Sequence, residues 1–279
     1  MKVTLWGTRG SLASPGPGTV RYGGNTSCVS VTGSEGTLLV LDAGTGINPL
    51  GDYLPPDITC VDILLTHLHM DHVQGLPFFT PLRRPGVEVH IWGPASTTLS
   101  LEARLKRYLS PPLFPVRVRD LFSVLHFHEL TTNSFDIGEF RVSAQMVVHP
   151  NPTVGYRIRE RGVVTSYLPD HEPVLGCHPF PCGSDWTSGY DLAEGADLLI
   201  HDAQYTPAEY QARMGFGHSS VPDALRFAGL AGVKRLVPFH HDPGHSDDFL
   251  DRIIAESVAE IQPTFDVVPG REGNSFQLD

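Results

Sequence analysis

The sequence predicts an α/β protein, an αβ/βα sandwich in which two mixed β-sheets pack face to face with helices outside. The 279 residues are 41% hydrophobic, which supports a sizeable buried core. In each half of the chain, short strand-like runs come first and helical patterns follow. The sequence has no internal repeat and no low-complexity tract. We therefore expect residues 1–279 to form one domain.

Short runs of branched and apolar residues, separated by glycine-rich turns, predict the strands of the first half. These strands cover residues 2–6, 28–32, 37–41, 61–66 and 87–92. Helices are expected at residues 71–79 and 96–109. Pro111, Pro112 and Pro115 end the second helix. The segment 94–130 is therefore either a lid or a stiff connection.

The second half alternates more regularly between strand and helix patterns. Strands are predicted at residues 140–148, 154–159, 163–168, 198–201 and 235–239. Helices are predicted at residues 207–214, 221–228 and 249–261. This order places strands and helices in layers, as the sandwich requires.

The net charge and the lengths of the apolar runs limit which binding partners and cell compartments the sequence predicts. There are 20 Lys and Arg against 31 Asp and Glu, and the net charge of −11 disfavours a polyanion. Nucleic acid is therefore an unlikely partner, though not an excluded one. The amino terminus lacks a signal-peptide pattern, and no apolar run approaches the length of a membrane span. We expect a cytoplasmic protein with no membrane association.

Four cysteines are too few for a disulfide framework in a chain of this length. The spacing of Cys177, His178 and Cys182 is not a usual zinc-binding spacing, so we interpret this segment as a loop with incidental thiols.

The candidate metal-binding residues lie in a segment of seven consecutive residues that begins at the end of the predicted strand 61–66. They are Thr66-His67-Leu68-His69-Met70-Asp71-His72. In an extended segment His67 and His69 point the same way, and Asp71 and His72 follow at the turn. Imidazole nitrogens and a carboxylate suit Zn²⁺, with Mn²⁺ or Fe as alternatives. The sequence therefore predicts a metal centre that could hold two ions.

This segment resembles the H-x-H-x-D-H hallmark of the metallo-β-lactamase superfamily. The resemblance implies the sandwich fold, two divalent metal ions and three further ligands at later strand ends. By resemblance one ion is held by His67, His69 and His149, and the other by Asp71, His72 and His240, with Asp170 bridging them. We prefer His240 to its neighbour His241. Asp42 matches an early buried aspartate that orients a metal-binding loop.

Other motifs look like the branch of that superfamily that contains tRNase Z and the cyclic-phosphate phosphodiesterases. They are Gly7-Thr8-Arg9-Gly10-Ser11, Asn25-Thr26-Ser27, His201-Asp202-Ala203 and Gly217-His218-Ser219-Ser220. In this branch His218 would approach the scissile phosphate and Asp202 would orient it. The alternative makes His218 a helix-entry residue before a serine cap. We assign catalytic roles to Asp71, His218 and Asp202. The branch also implies a possible homodimer.

The interval between His149 and Asp170 has no room for the long basic arm that tRNA-processing relatives often carry there. We therefore expect a small-molecule phosphodiester substrate, most plausibly cAMP or cGMP, attacked by a metal-bridging hydroxide. Phe114, Tyr22 or Trp92 could stack on its base. Alternatives are a tRNase Z-like RNA 3′-end endonuclease, a lactam or thioester hydrolase, and a non-catalytic binding module.

Overall fold

The computed structural model describes residues 1–175, 180–181 and 183–279. Cys177 and Cys182 lie outside the described residues, so the interpretation of their loop stays a prediction. The strands are β1 (Lys2–Gly7), β2 (Cys28–Thr32), β3 (Leu38–Leu41), β4 (Cys60–Leu64), β5 (Glu88–Pro94), β6 (Val124–Leu130), β7 (Ser134–Ile137), β8 (Phe140–Met146), β9 (Val154–Glu160), β10 (Val163–Leu168), β11 (Leu198–Asp202), β12 (Arg235–Phe239), β13 (Asp266–Val267) and β14 (Ser275–Gln277).

Within the described ranges, these strands form two seven-stranded sheets. The first has the order β14-β1-β2-β3-β4-β5-β6 and the second β13-β12-β11-β10-β9-β8-β7. Both are mixed: β3 to β6 run parallel and β10 to β13 run parallel, whereas the other neighbouring strands are antiparallel. The predicted sandwich of two mixed sheets is confirmed.

Helices cover the outer face of each sheet. They are α1 (Ile47–Tyr53), α2 (Met70–Val73), α3 (Leu101–Tyr108), α4 (Tyr190–Ala193), α5 (Pro207–Arg213), α6 (Val221–Leu230) and α7 (Asp247–Ile261). Four of them begin at a side-chain cap: Ser100, Thr206, Ser220 and Ser246 each accept a hydrogen bond from a backbone N–H of the first turn. None of the helices in the described part of the chain has the length and apolar character needed to cross a bilayer.

The main core lies between the two sheets and is built by the alternating inward residues of their strands. Leu5 and Leu39 from the first sheet share it with Phe140, Tyr156 and Phe239 from the second. Separate apolar layers lie under α1 and α3 on one side and under α4 and α6 on the other. Each fully buried large side chain contributes about 1.5–3 kcal/mol, so these layers hold the sheets and helices in fixed positions.

The parallel strands also determine where polar ligands meet. Leu41 at the end of β3 pairs with Leu64 at the end of β4, so the residues after both strands lie at the same sheet edge. In the second sheet the ends of β10, β11 and β12 are likewise aligned. Since the carboxyl ends of parallel strands form one edge, the two edges create a crevice for ligands.

Several elements differ from the sequence prediction. The helix expected at 71–79 is a single turn, α2, because Gly75 and Pro77 follow it and a short 3₁₀ turn takes over at Leu76–Phe78. The helix expected from residue 96 begins at Leu101, after the cap Ser100. The prediction missed α1, α4 and the strands β6, β7, β13 and β14.

Both ends of the segment predicted as a possible lid, residues 94–130, belong to the sandwich. It contains α3, whose Leu101 and Leu105 are buried, and β6, which is the edge strand of the first sheet. Between them Phe114 packs edge-on against Phe78. A lid therefore stays a prediction only for residues 109–123.

Candidate active site

The histidine motif directly follows β4 and is held from behind by Asp42, which follows β3. Thr66 donates its backbone N–H to Asp42 Oδ1 at 2.7 Å, and its hydroxyl lies 3.0 Å from both carboxylate oxygens. His72 Nδ1 lies 2.8 Å from Asp42 Oδ2. A ring nitrogen that donates to a carboxylate leaves the other nitrogen free as a ligand. Asp42 thus turns His72 Nε2 toward the crevice.

The structure brings together all seven residues predicted as metal ligands, in the groups that the resemblance implied. His67, His69, His149 and Asp170 each offer one ligand atom within 4.8 Å of the others. A second set with the same spacing lies beside the first and consists of Asp71, His72 and His240. His69 Nδ1 is 3.3 Å from His149 Nε2, and His72 Nε2 is 3.3 Å from His240 Nε2.

Asp170, at the end of β10, faces both groups. Its Oδ1 lies 2.9 Å from His72 Nε2 and 3.2 Å from His240 Nε2. Its Oδ2 lies 3.7 Å from His67 Nε2 and 3.5 Å from His149 Nε2. One carboxylate oxygen therefore points to each group of imidazoles, which is the disposition of a residue between two cations.

The residues present fit divalent cations. Two nitrogens bound tetrahedrally to zinc at 2.0–2.1 Å lie about 3.3 Å apart, as both imidazole pairs do. His67 Nε2 is buried and has no hydrogen-bond partner within the described residues. Burial, with the neighbouring His72, lowers the pKa of His67 well below its ordinary value, so this imidazole is neutral and its Nε2 can serve as a metal ligand. The superfamily fold and these clusters together indicate a divalent metal centre, typically of zinc.

A loop between α5 and α6 orients His149. The ring nitrogen Nδ1 of His149 donates to the Gly217 carbonyl at 2.8 Å, which leaves Nε2 for the cluster. Gly217 has φ +88°, and a Cβ there would lie 2.2 Å from His149 Nδ1. Only glycine combines this backbone conformation with this close approach.

The loop after β1 supports the second group. Ser11 donates its backbone N–H to Asp71 Oδ2 at 2.7 Å. A Cβ on Gly10 would lie 2.4 Å from His240 Nδ1, so this position too requires glycine. His240 has φ +59°, which turns its ring into the cluster, whereas His241 points away and donates Nε2–H to the Gly270 carbonyl at 3.0 Å. The structure thus places His240 at the site.

His218 and Asp202 form a pair at the edge of the cluster. His218 Nδ1 lies 2.6 Å from Asp202 Oδ2, and the His218 ring stacks on that of His240 at 5.0 Å. Asp202, fully buried, also accepts the backbone N–H of Ser219 at 2.9 Å. Burial alone would lower the pKa of His218, but Asp202 outweighs it and raises that pKa to about 9. The serine cap of the helix-entry alternative is also present, because Ser220 caps α6 two residues after His218.

Sequence reasoning missed Glu172, a buried carboxylate two residues after Asp170. It accepts hydrogen bonds from the backbone N–H groups of Gly215 and Gly217, each at 2.8 Å, and from the Tyr210 hydroxyl at 2.9 Å. Glu172 therefore holds the loop whose next residue is His218. The position of Glu172 shortly after Asp170 was the one signal in the sequence. It did not indicate the role of Glu172, because the hydrogen-bond partners of Glu172 lie more than thirty residues away along the chain.

Polar residues of the loop after β1, and two of the aromatic residues offered for base stacking, have partners within the structure. Arg9 is fully buried and donates to the carbonyls of Gly23 and His245 at 2.9 and 2.7 Å. It supports the chain behind His240. Tyr22 is buried against His241, and Trp92 stacks on Phe135 with a centroid separation of 4.7 Å. Arg21 pairs with Asp248 and Asp251, and Asn25 with Glu272.

Comparisons with known proteins agree with this geometry. The β-lactamase superfamily domain matches residues 38–241. Ribonuclease BN of Cronobacter sakazakii is 27% identical over 239 residues, covering 71% of this chain and 76% of the relative. The human short-form tRNase Z superimposes with a TM-score of 0.68 at 24% identity, covering 100% of both chains.

A diphosphatase of the PhnP family superimposes with a TM-score of 0.70 at 17% identity, covering 100% of this chain and 98% of the other. The family match spans well over half of the 279 residues and includes the histidine motif, Asp170 and His240. The chain therefore belongs to the metallo-β-lactamase superfamily and is a metal-dependent hydrolase.

Proposed function

We propose that the chain is a phosphodiesterase that binds two divalent cations, with Zn²⁺ as the expected ion, and hydrolyses small phosphodiesters, with cyclic nucleotides such as cAMP and cGMP as its expected substrates. The observation that carries the proposal is the His218–Asp202 pair beside Asp170. An imidazole that does not bind metal but lies beside the metal centre can donate a proton to the leaving oxygen when a phosphodiester is cleaved.

The proposed cations divide between the two residue groups. His67, His69 and His149 would hold one, Asp71, His72 and His240 the other, and Asp170 would contact both. When bound, such cations lower the pKa of coordinated water and neutralise charge on phosphoryl oxygens.

The chain's own residues then position and protonate the substrate. Asp202 accepts the Nδ1–H of His218 and stabilises the imidazolium form, in which Nε2–H is a second proton that can be donated to a phosphoryl oxygen or to the leaving alkoxide. The raised pKa of His218 keeps this proton in place near neutral pH. Ser11 holds Asp71 through its backbone N–H, which keeps that carboxylate in the cluster.

The chain segments around the cluster favour a small substrate. A hairpin of β9 and β10, joined by Arg161 and Gly162, fills most of the interval between His149 and Asp170. No inserted arm interrupts these described residues. With the net charge of −11, this favours a small diester over a folded RNA.

An RNA 3′-end endonuclease is the second candidate, because the curated relatives that match are ribonucleases Z and BN. The residues of the cluster serve either substrate. The two candidates differ in salt dependence: binding that neutralises many phosphates weakens steeply with salt, whereas binding of a cyclic nucleotide does not.

The test compares turnover of cAMP, cGMP, bis(p-nitrophenyl) phosphate and a precursor tRNA by zinc- or manganese-loaded protein. We expect hydrolysis of the small diesters, and a loss of kcat by about 10²- to 10⁴-fold in His218→Ala with bound metal unchanged. Glu102→Gln, in a half-exposed side chain on α3, is the matched control and should behave as wild type.

Cleavage of precursor tRNA with a steep salt dependence, and no turnover of any small diester, would overturn the small-substrate proposal in favour of the nuclease. Equal rates for wild type and His218→Ala would remove its proposed role as proton donor.

A further inference from the structure

A second cluster of histidines lies on β5 and β6, on the edge of the first sheet. The strands pair His90 directly with His126 and Trp92 with His128. Glu88 precedes His90 by two residues and so lies on the same face of the sheet. Glu88, His90, His126 and His128 therefore form one polar group on this face of the sheet. The proposed function does not use it.

This group is far from the catalytic cluster. Glu88 pairs with Cys60 at the start of β4, whereas His67 follows the end of β4. Seven residues of nearly extended chain separate the levels of Cys60 and His67, or roughly 20 Å at 3.3 Å per residue. The two clusters cannot share an ion.

Three residues of the group offer converging ligand atoms. One atom each from Glu88, His90 and His126 lies within 4.8 Å of the other two. His90 Nε2 is 3.7 Å from Glu88 Oε2, and the rings of His90 and His126 are nearly parallel with centroids 4.6 Å apart. An oxygen and two imidazole nitrogens at this spacing can meet on one cation when the side chains rotate toward it.

The neighbouring residues orient His90 as a ligand. His90 Nδ1 lies 2.9 Å from His128 Nε2, and when Nδ1 donates there, His90 Nε2 keeps its lone pair on the side of Glu88. His128 is itself fixed by stacking on Trp92, with ring centroids 4.0 Å apart. Trp92 in turn donates its Nε1–H to Asp62 at 2.8 Å. A ligating imidazole normally has such a hydrogen-bonded support, which sets its tautomer.

We propose that Glu88, His90 and His126 bind one further divalent transition-metal ion, with Zn²⁺ as the preferred ion and water in the remaining position. Two imidazoles and one carboxylate form a donor set that zinc accepts in tetrahedral coordination. Because the ligands come from two adjacent strands, the ion ties the edge strand β6 to β5. It thereby anchors the carboxyl-terminal end of the connection 95–123.

The test counts bound zinc. Protein stripped with a chelator is dialysed against Zn²⁺, and the zinc per chain is measured by mass spectrometry for wild type and His90→Ala/His126→Ala. We expect the double variant to hold one ion fewer than wild type. His128→Phe keeps the stacking on Trp92 but removes the acceptor, so it should weaken binding of that ion by about 10- to 100-fold.

Two comparisons make the result decisive. Glu88→Ala shortens a half-exposed side chain and leaves the backbone pairing of β5 intact. It therefore replaces the double variant if the latter fails to fold. Glu102→Gln removes a nearby carboxylate outside the group and should retain the wild-type zinc content. Equal zinc content in wild type, Glu88→Ala and the double variant would overturn the proposal. Hydrolase activity does not enter this readout, so the result is independent of the proposed substrate.

Discussion

Two groups of histidines lie at opposite ends of β4 and β5 in the first sheet, and the two groups differ in burial. The catalytic cluster lies at the carboxyl end of β4, where His67 and His72 are almost fully buried and each is supported by a hydrogen bond from behind. The group at the start of β5 is open, with the Glu88 side chain 56% exposed and that of His90 23% exposed. Stacking, more than enclosure, orients its rings.

This difference indicates how strongly each site depends on the fold. Removing one partner from a buried, fully connected cluster leaves other polar groups without partners, which costs more than the same change at the surface. We therefore expect changes at the catalytic side to be large and changes at Glu88 to be small.

The largest effect is expected from Asp170→Asn. The amide cannot supply the negative charge that both residue groups face, so we expect kcat/KM to fall by about 10³-fold or more, in line with the several kcal/mol that metal ions contribute to catalysis. Metal content measured on the same samples should fall as well. Retention of full activity and metal content would show that Asp170 does not lie between two ions.

A buried histidine behind the cluster should make stability depend on pH. Burial lowers the pKa of His201 from 6.5 to about 4. Between these values the unfolded chain binds a proton that the folded chain does not. The stabilising contribution of His201 is therefore fully present above pH 6.5 and is lost as the pH falls through 4, a loss of ~3 kcal/mol.

The measurement is the free energy of unfolding from urea titrations between pH 4.5 and 6.5. His201→Asn should reduce the slope against pH by about 1.4 kcal/mol per unit. Tyr156→Phe, which removes a buried hydroxyl bonded to the Leu65 carbonyl, is a control that should keep the wild-type slope. An unchanged slope in His201→Asn would contradict the assignment.

A smaller effect is expected from Glu172→Gln, which keeps the shape of the side chain but removes its charge. Glu172 does not touch the cluster, and it positions His149 and His218 through the Gly217 loop. We expect kcat to fall by about 10- to 100-fold with KM little changed, as for other residues that support metal ligands. Tyr210→Phe removes one of the same hydrogen bonds without touching the loop backbone and should cost less. Equal losses in both variants would indicate a merely structural role.

The smallest effect is expected from Glu88→Ala. Because this side chain is half-exposed and its ion pair with His90 is long, the free energy of unfolding of metal-free protein should change by no more than about 0.5 kcal/mol. Chemical denaturation in the presence of a chelator measures it. A loss of several kcal/mol would show that the exposed group is as tightly built into the fold as the buried one.

The two clusters also differ in how far the sequence predicts them. His67 to His72 are contiguous, and Asp170 and His240 each follow an apolar strand, so their residue types and order carried the prediction of a metal centre. The group on β5 and β6 was missed because its members come from two strands thirty-six residues apart, one of them inside the segment interpreted as a lid or a stiff connection.

By itself, the sequence determined the two-sheet sandwich, the histidine motif and the order of the later ligand types, because strand alternation and ligand spacing are local properties. The tertiary structure alone decided the rest: that β14 pairs with β1, that Glu172 holds the Gly217 loop, and that His241 donates to the Gly270 carbonyl. These features depend on sheet order, left-handed backbone positions and hydrogen bonds between distant residues. Such contacts form only when the chain closes on itself, so no pattern within a short stretch of sequence encodes them.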